Sequence, residues 1–153
     1  MSDELPATGR LAAVDFGTVR IGLAVCDPQR SLASPYENYT RRGPAKDKQY
    51  FQQFADEERI VGFVVGLPVF SSGDESGASQ AAREFGRWLT EVTGRPVRYF
   101  DERYTSAQAE QLLGDAGYTR KQRKKRLDML AAQIILTSYL ESTSGGQATP
   151  LED

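Results

Sequence analysis

The chain has 153 residues, 39% of them hydrophobic and 26% charged, which suits one globular domain and leaves no room for two full-sized lobes. Its net charge of -2 offers no general attraction to nucleic acid, so the distribution of charge matters more than its sum. There is no histidine, which excludes serine–histidine triads, histidine-zinc sites and histidine as a general base.

Met1 to Arg10 is polar and reads as a flexible tail (residues 1–10), without the basic-then-apolar pattern of a secretory signal. Leu11 to Phe16 is an apolar run broken by Asp15, consistent with a buried strand. Gly17-Thr18 supplies a turn, and Ile21 to Cys26 reads as a second strand returning as a hairpin. The lone cysteine, Cys26, cannot form an internal disulfide, and its apolar neighbours place it in the core. Leu32 to Tyr39 is a third, weaker strand. Tyr50, Phe51, Phe54 and Ala55 recur at helical spacing, which predicts an amphipathic helix over 45–58. Ile60 to Leu67 is apolar almost throughout, as in a strand buried on both faces, yet it falls well short of the roughly 20 residues of a membrane span. A helix follows over 76–93, then a short strand from Pro96 to Phe100 ending at Asp101-Glu102. Thr105 to Ala116 has an N-cap threonine and a helical pattern, and 123–141 is the closing helix. The Ser/Gly/Pro-rich segment 142–153 reads as a disordered tail. Three strands followed by alternating helices and strands predict an α/β domain over 11–141. Its mixed five-stranded sheet has three antiparallel then two parallel strands, flanked by helices. The absence of a signal and a membrane span points to the cytoplasm.

Acidic residues stand where the apolar pattern makes them costly: Asp15 at the end of the first strand, Asp101 and Glu102 at the end of the last, and Asp128 in the closing helix. Converging carboxylates are the usual ligands of a hard, oxygen-seeking cation. Each also has an ordinary role open to it. Asp15 can accept turn N–H bonds, Asp101 can cap the turn before Thr105, Glu102 can pair with Arg103, and Asp128 can balance Lys124 one turn earlier. Gly66-Leu67-Pro68 ends the fourth strand at the same sheet edge, or is a simple strand terminus. Between Arg120 and Arg126 six of seven residues are basic: Arg120, Lys121, Arg123, Lys124, Lys125 and Arg126. Such a run is either a solvated helix face or, beside an acidic site, a set of phosphate contacts. Tyr118, just before it, is either a packing tyrosine or a surface on which a base stacks.

Four segments carry a family resemblance: Val14-Asp15-Phe16-Gly17-Thr18-Val19-Arg20-Ile21-Gly22-Leu23-Ala24-Val25, Val65-Gly66-Leu67-Pro68, Asp101-Glu102-Arg103-Tyr104-Thr105-Ser106-Ala107-Gln108-Ala109-Glu110, and Lys125-Arg126-Leu127-Asp128-Met129-Leu130-Ala131-Ala132. In this order, across about Leu11 to Glu141, they resemble the YqgF/RuvX family of pre-16S ribosomal RNA nucleases and Holliday junction resolvase-like proteins. Phe70-Ser71-Ser72-Gly73 departs from the usual short polar turn, and Leu127 stands where valine is common; neither touches a proposed ligand.

The resemblance implies a ribonuclease H-like fold and divalent-metal nuclease chemistry. Asp15, the Asp101-Glu102 pair and Asp128 would hold one or two Mg²⁺ or Mn²⁺ ions; which of Asp101 and Glu102 points inward stays open, since adjacent strand residues face opposite sides. Arg20 and Arg103 would bind the scissile or a neighbouring phosphate, and the run from Arg120 to Arg126 the flanking backbone. The expected substrate is a ribosomal RNA precursor, free or within a ribosomal particle. The alternative is a four-way DNA junction, which calls for a homodimer rather than a monomer. Two other classes compete. Asp-x-Gly-Thr also opens the phosphate loop of actin-like ATPases, but these need a second lobe. A non-catalytic ribosome-assembly module would be betrayed by loss of the acids, all of which are present here.

Overall fold

The computed structural model describes residues 4–69, 76–105 and 120–145, with the side chains of the last helix described from Met129 to Thr143. Five strands, β1 (Arg10–Asp15), β2 (Arg20–Cys26), β3 (Ala33–Thr40), β4 (Ile60–Leu67) and β5 (Val97–Asp101), form one sheet in the order β3-β2-β1-β4-β5. The β1–β2 and β2–β3 pairs are antiparallel, whereas β4 runs parallel to both β1 and β5. This is the mixed sheet that the sequence predicts. Helices α1 (Pro44–Glu57) and α2 (Gly77–Thr93) pack on one face and α3 (Arg120–Gly145) on the other.

Period-two alternation explains the two cores. Val14, Leu23, Phe63, Val65 and Tyr99 point toward α1 and α2, where Phe51, Phe54, Phe85 and Leu89 meet them. Leu11, Ala13, Ala24, Val64 and Phe100 point toward Ala132, Ile135, Leu136 and Tyr139 of α3. Cys26 lies in this second core, where burial pushes its thiol up and disfavours the thiolate.

The turns are specified locally. A Cβ on Gly17 would stand 2.3 Å from the Arg20 carbonyl oxygen, so the β1–β2 hairpin closes only with glycine there. Ser76 caps α2 through a reciprocal pair, its hydroxyl accepting from Ser79 N at 3.1 Å and its own N–H donating to Ser79 Oγ at 2.9 Å. The Ser76 hydroxyl also donates to the Pro68 carbonyl at 2.8 Å, tying the start of α2 to the end of β4. At Gly86 α2 comes down onto β5, where a Cβ would lie 2.3 Å from the Tyr99 hydroxyl.

Two expected boundaries move. The N-terminal segment is fastened from Leu5 onward: Leu5 packs on the α3-side core, and Arg30 donates to the Gly9 carbonyl at 2.9 Å and to the Pro6 carbonyl. The final helix passes the expected end at Glu141, because the hydroxyls of Ser142 and Thr143 turn back to the Tyr139 carbonyl at 2.7 and 3.2 Å instead of competing for the helix. The helix expected over Thr105 to Ala116 falls outside the described residues apart from Thr105, which is extended; Tyr118 lies outside them too. Among the described residues no helix is long and apolar enough to cross a membrane.

Asp47, in the first turn of α1, is 1% exposed. It accepts from Tyr39 Oη at 2.6 Å, Arg42 N at 2.9 Å and Arg41 Nε at 3.3 Å. Burial acts to raise its pKa, but these bonds outweigh burial and hold the carboxyl below its ordinary range. A depressed folded-state pKa gives stability that is present above the unfolded value of about 3.9 and lost as pH falls through the folded one. Asp47→Ala should therefore cost roughly 2 kcal/mol at pH 7 in urea unfolding, with the gap to wild type shrinking as pH is taken below about 4. Gly86→Ala should destabilise by roughly 1–3 kcal/mol, and Tyr99→Phe in the same chain should recover part of that loss in thermal melts.

Candidate functional site

The C-terminal ends of β1, β4 and β5 meet at one edge of the sheet. Asp15 ends β1, opposite Gly22 of β2, and the Val14–Val65 pairing sets it level with Gly66 of β4. Alternation places Asp15 on the α3 side, in phase with Leu11 and Ala13, and it is half-buried there. Gly22, on the same face, adds no side chain beside it.

The last strand settles the facing of the acidic pair. Asp101 pairs with Leu67 and is fully buried, in phase with Val97 and Tyr99 on the α2 side. Its carboxylate accepts from Arg103 N at 2.9 Å and from Arg103 Nε at 2.9 Å, with a further bond and ion pair to Nη2. It thus caps the 3-10 turn Glu102–Tyr104. Glu102, one residue on, faces α3: its Oε2 lies 3.0 Å from where a Gly66 Cβ would stand. Ile135 Cδ1 lies 2.5 Å from that point. Gly66 therefore lies between the strand ends that carry Asp15 and Glu102, whose backbones are two strand spacings, about 10 Å, apart, and the space above it is filled by Ile135 and the Glu102 carboxylate.

Burial, and secondarily the neighbouring Asp101 charge, push the Glu102 carboxyl up. An anion in that position is short of positive charge, and a cation between it and Asp15 would supply it. Carboxylate oxygens suit a hard divalent ion such as Mg²⁺ or Mn²⁺. The two acids fit that group in chemistry and facing. Among the described residues they are not joined by a third His, Cys, Asp or Glu into a metal-holding cluster. The third expected acid, Asp128, lies on α3 one turn before the buried Ala132 and two before Ile135, but its side chain falls outside the described residues.

Of the expected phosphate contacts, Arg20 is exposed at the start of β2, opposite Thr40 and in phase with Gly22 on the α3 face. Arg103 is exposed as well, but it is engaged by Asp101 and lies over the Tyr104 ring, its Cζ 5.7 Å from the centroid. Arg120, Lys121, Arg123, Lys124, Lys125 and Arg126 form the opening turns of α3, and their side chains lie outside the described residues. Sequence reading missed one further feature. The Arg41 guanidinium lies over the ring of Phe16, the residue after Asp15, 5.3 Å from its centroid. The only sequence signal for it is the arginine pair following β3.

A family profile, RuvX, described as "Holliday junction resolvase", matches residues 9–142. A relative from Rhodopirellula baltica named "Putative pre-16S rRNA nuclease" is 51% identical over 140 residues, covering 92% of this chain and 81% of its own. One of the same name from Koribacter versatilis is 36% identical over 151 residues, 99% of each chain. Among solved structures, T. thermophilus RuvC in complex with a Holliday junction substrate aligns with a TM-score of 0.60 at 16% identity, over 94% of this chain and 99% of its own. The fowlpox virus resolvase bound to Holliday junction DNA aligns at 0.55 and 10% identity, over 88% and 98%. At such identities these two structures establish the fold, which is ribonuclease H-like. With the profile spanning nearly the whole of the described sheet and helices, and half the residues shared with a relative of similar length, this chain belongs to the RuvX family.

Proposed function

We propose that this chain is a divalent-metal-dependent nuclease of the cytoplasm that hydrolyses phosphodiester bonds in the 5′-end maturation of pre-16S ribosomal RNA. The observation that carries the reading is the pairing of Asp15 and Glu102 across Gly66 on one face of the sheet. The names of the relatives at 51% and 36% identity point to the RNA substrate. The family description favours a second reading, a four-way DNA junction, which the same chemistry serves if two copies present two sites.

In this reading Asp15 is the central ligand, and Glu102 and Asp128 complete the set. A bound Mg²⁺ or Mn²⁺ supplies Lewis acidity, which acidifies water and offsets the phosphate charge. Asp101 does not touch the ion; it locks the 3-10 turn and so aims Glu102. Arg20 and Arg103 contact phosphates beside the scissile bond, the basic start of α3 holds the flanking backbone, and ribosomal particles present the natural substrate.

Asp15→Asn and Glu102→Gln should each reduce Mn²⁺- or Mg²⁺-dependent cleavage of a labelled pre-16S 5′ end at least a hundredfold. Both should also remove the rise in melting temperature that Mn²⁺ gives the wild type. Retention of both effects by Glu102→Gln would sink the ligand assignment, and equal cutting of a four-way DNA junction would favour the second reading. Gly66→Ala combined with Ile135→Val should fold, since the smaller side chain yields room, yet cleave at least tenfold more slowly because the new methyl displaces the Glu102 carboxylate. Wild-type rates in that double variant would show that the placing of the Glu102 carboxylate over Gly66 does not matter to cleavage.

A further inference from the structure

Charge along the working edge of the sheet is divided by strand. On the β5–β1 half stand Asp15 and Glu102, beside the Asp101–Arg103 ion pair whose charges offset each other; on the β2–β3 half stand Arg20, Arg41 and Arg42. The last two occupy the turn between β3 and α1, which is bonded to the hairpin after Asp15: Arg41 N donates to the Val19 carbonyl at 2.9 Å.

Both arginines are held in place. Arg41 is half-buried between the Phe16 ring and the buried Asp47 carboxylate, and Arg42 is exposed with its guanidinium 5.5 Å from the Tyr39 ring centroid. The Arg42 N–H is bonded to Asp47 as well. The buried carboxylate thus holds the Arg41 guanidinium and the Arg42 backbone, and the Tyr39 ring holds the Arg42 guanidinium, at the sheet end that carries the acids but on its α1 side. Preorganised guanidinium groups lose little side-chain entropy when they meet phosphate.

We infer that the Arg41-Arg42 turn, with Arg20, is a second backbone-binding surface that holds the phosphates of single-stranded RNA on the β3 side of the acidic site. The inference rests on the nuclease reading and extends it by giving the substrate strand a direction across the sheet edge: from the acids at β5 and β1 toward the arginines at β2 and β3. Phosphate contacts carry no base information, so the surface serves any sequence.

The test is binding of a labelled single-stranded RNA to full-length Asp15→Asn protein, in Mg²⁺, across a salt series. Arg42→Ala and Arg41→Gln in that background should each weaken binding and flatten the slope of log affinity against log salt by about 0.7, the value of one single-strand phosphate contact. Arg42→Lys should restore most of the slope. Arg87→Ala, an exposed arginine of α2, removes the same charge elsewhere and should leave the slope unchanged. Arg41→Gln keeps a donor for Asp47, and melting curves confirm that each variant is folded. Unchanged slopes in both folded variants would overturn the arginine surface and leave the nuclease reading standing. A slope change with a four-way DNA junction but none with RNA would overturn RNA as the occupant. If the Asp15→Asn protein holds no RNA at all, the surface and the reading beneath it both fall.

Discussion

Ile135 of α3 sits so close to β4 that its Cδ1 lies 2.5 Å from where a side chain on Gly66 would begin. Close approach at this point has two effects. It lets the helix cover the α3 face of the sheet with Ala132, Ile135, Leu136 and Tyr139, burying the apolar side chains that hold this layer together. It also brings the backbone that carries Asp128 toward the strand ends that carry Asp15 and Glu102. Packing and site therefore share one constraint, the missing methyl at Gly66. The candidate site is thus held by regular elements on both sides, a strand end and a packed helix.

The acids of the edge are handled in two ways. Asp101 is fully buried but satisfied, because Arg103 folds back over it and the turn N–H bonds to it. Glu102 has no comparable compensation in its pKa balance, where burial and the Asp101 charge act in the same direction. The contrast separates a carboxylate that shapes backbone from one that faces α3 beside Gly66. Two adjacent acids divide the labour because the chain alternates faces there, and the 3-10 turn begins between them.

Most of the architecture was legible in the sequence because burial imposes periods that can be read: apolar runs for β1 and β4, helical spacing of aromatics for α1 and α2. Asp15 stood out since an acid at the end of such a run is costly. The facing of Asp101 and Glu102 was not legible, because it depends on where β5 yields to the turn. Asp47 was hidden more completely. In Lys46-Asp47-Lys48 it looks like a solvated helix position, and only the fold brings Tyr39 and the Arg41-Arg42 turn over it. The final helix runs past its expected end, and there the hydroxyls of Ser142 and Thr143 bond back to the Tyr139 carbonyl within the helix, an arrangement that residue type alone does not show.

Strand β3 ends the sheet, with its outer edge beyond β2. It carries Pro35, which cannot donate to a neighbouring ladder, and its register with β2 slips between Leu23 and Ala24. Charge at Glu37 adds to the mismatch. Such an edge resists growth of the sheet by a further strand, so the protein is guarded there against aggregation. Two copies brought together to act on symmetry-related strands are therefore disfavoured from joining their sheets through β3.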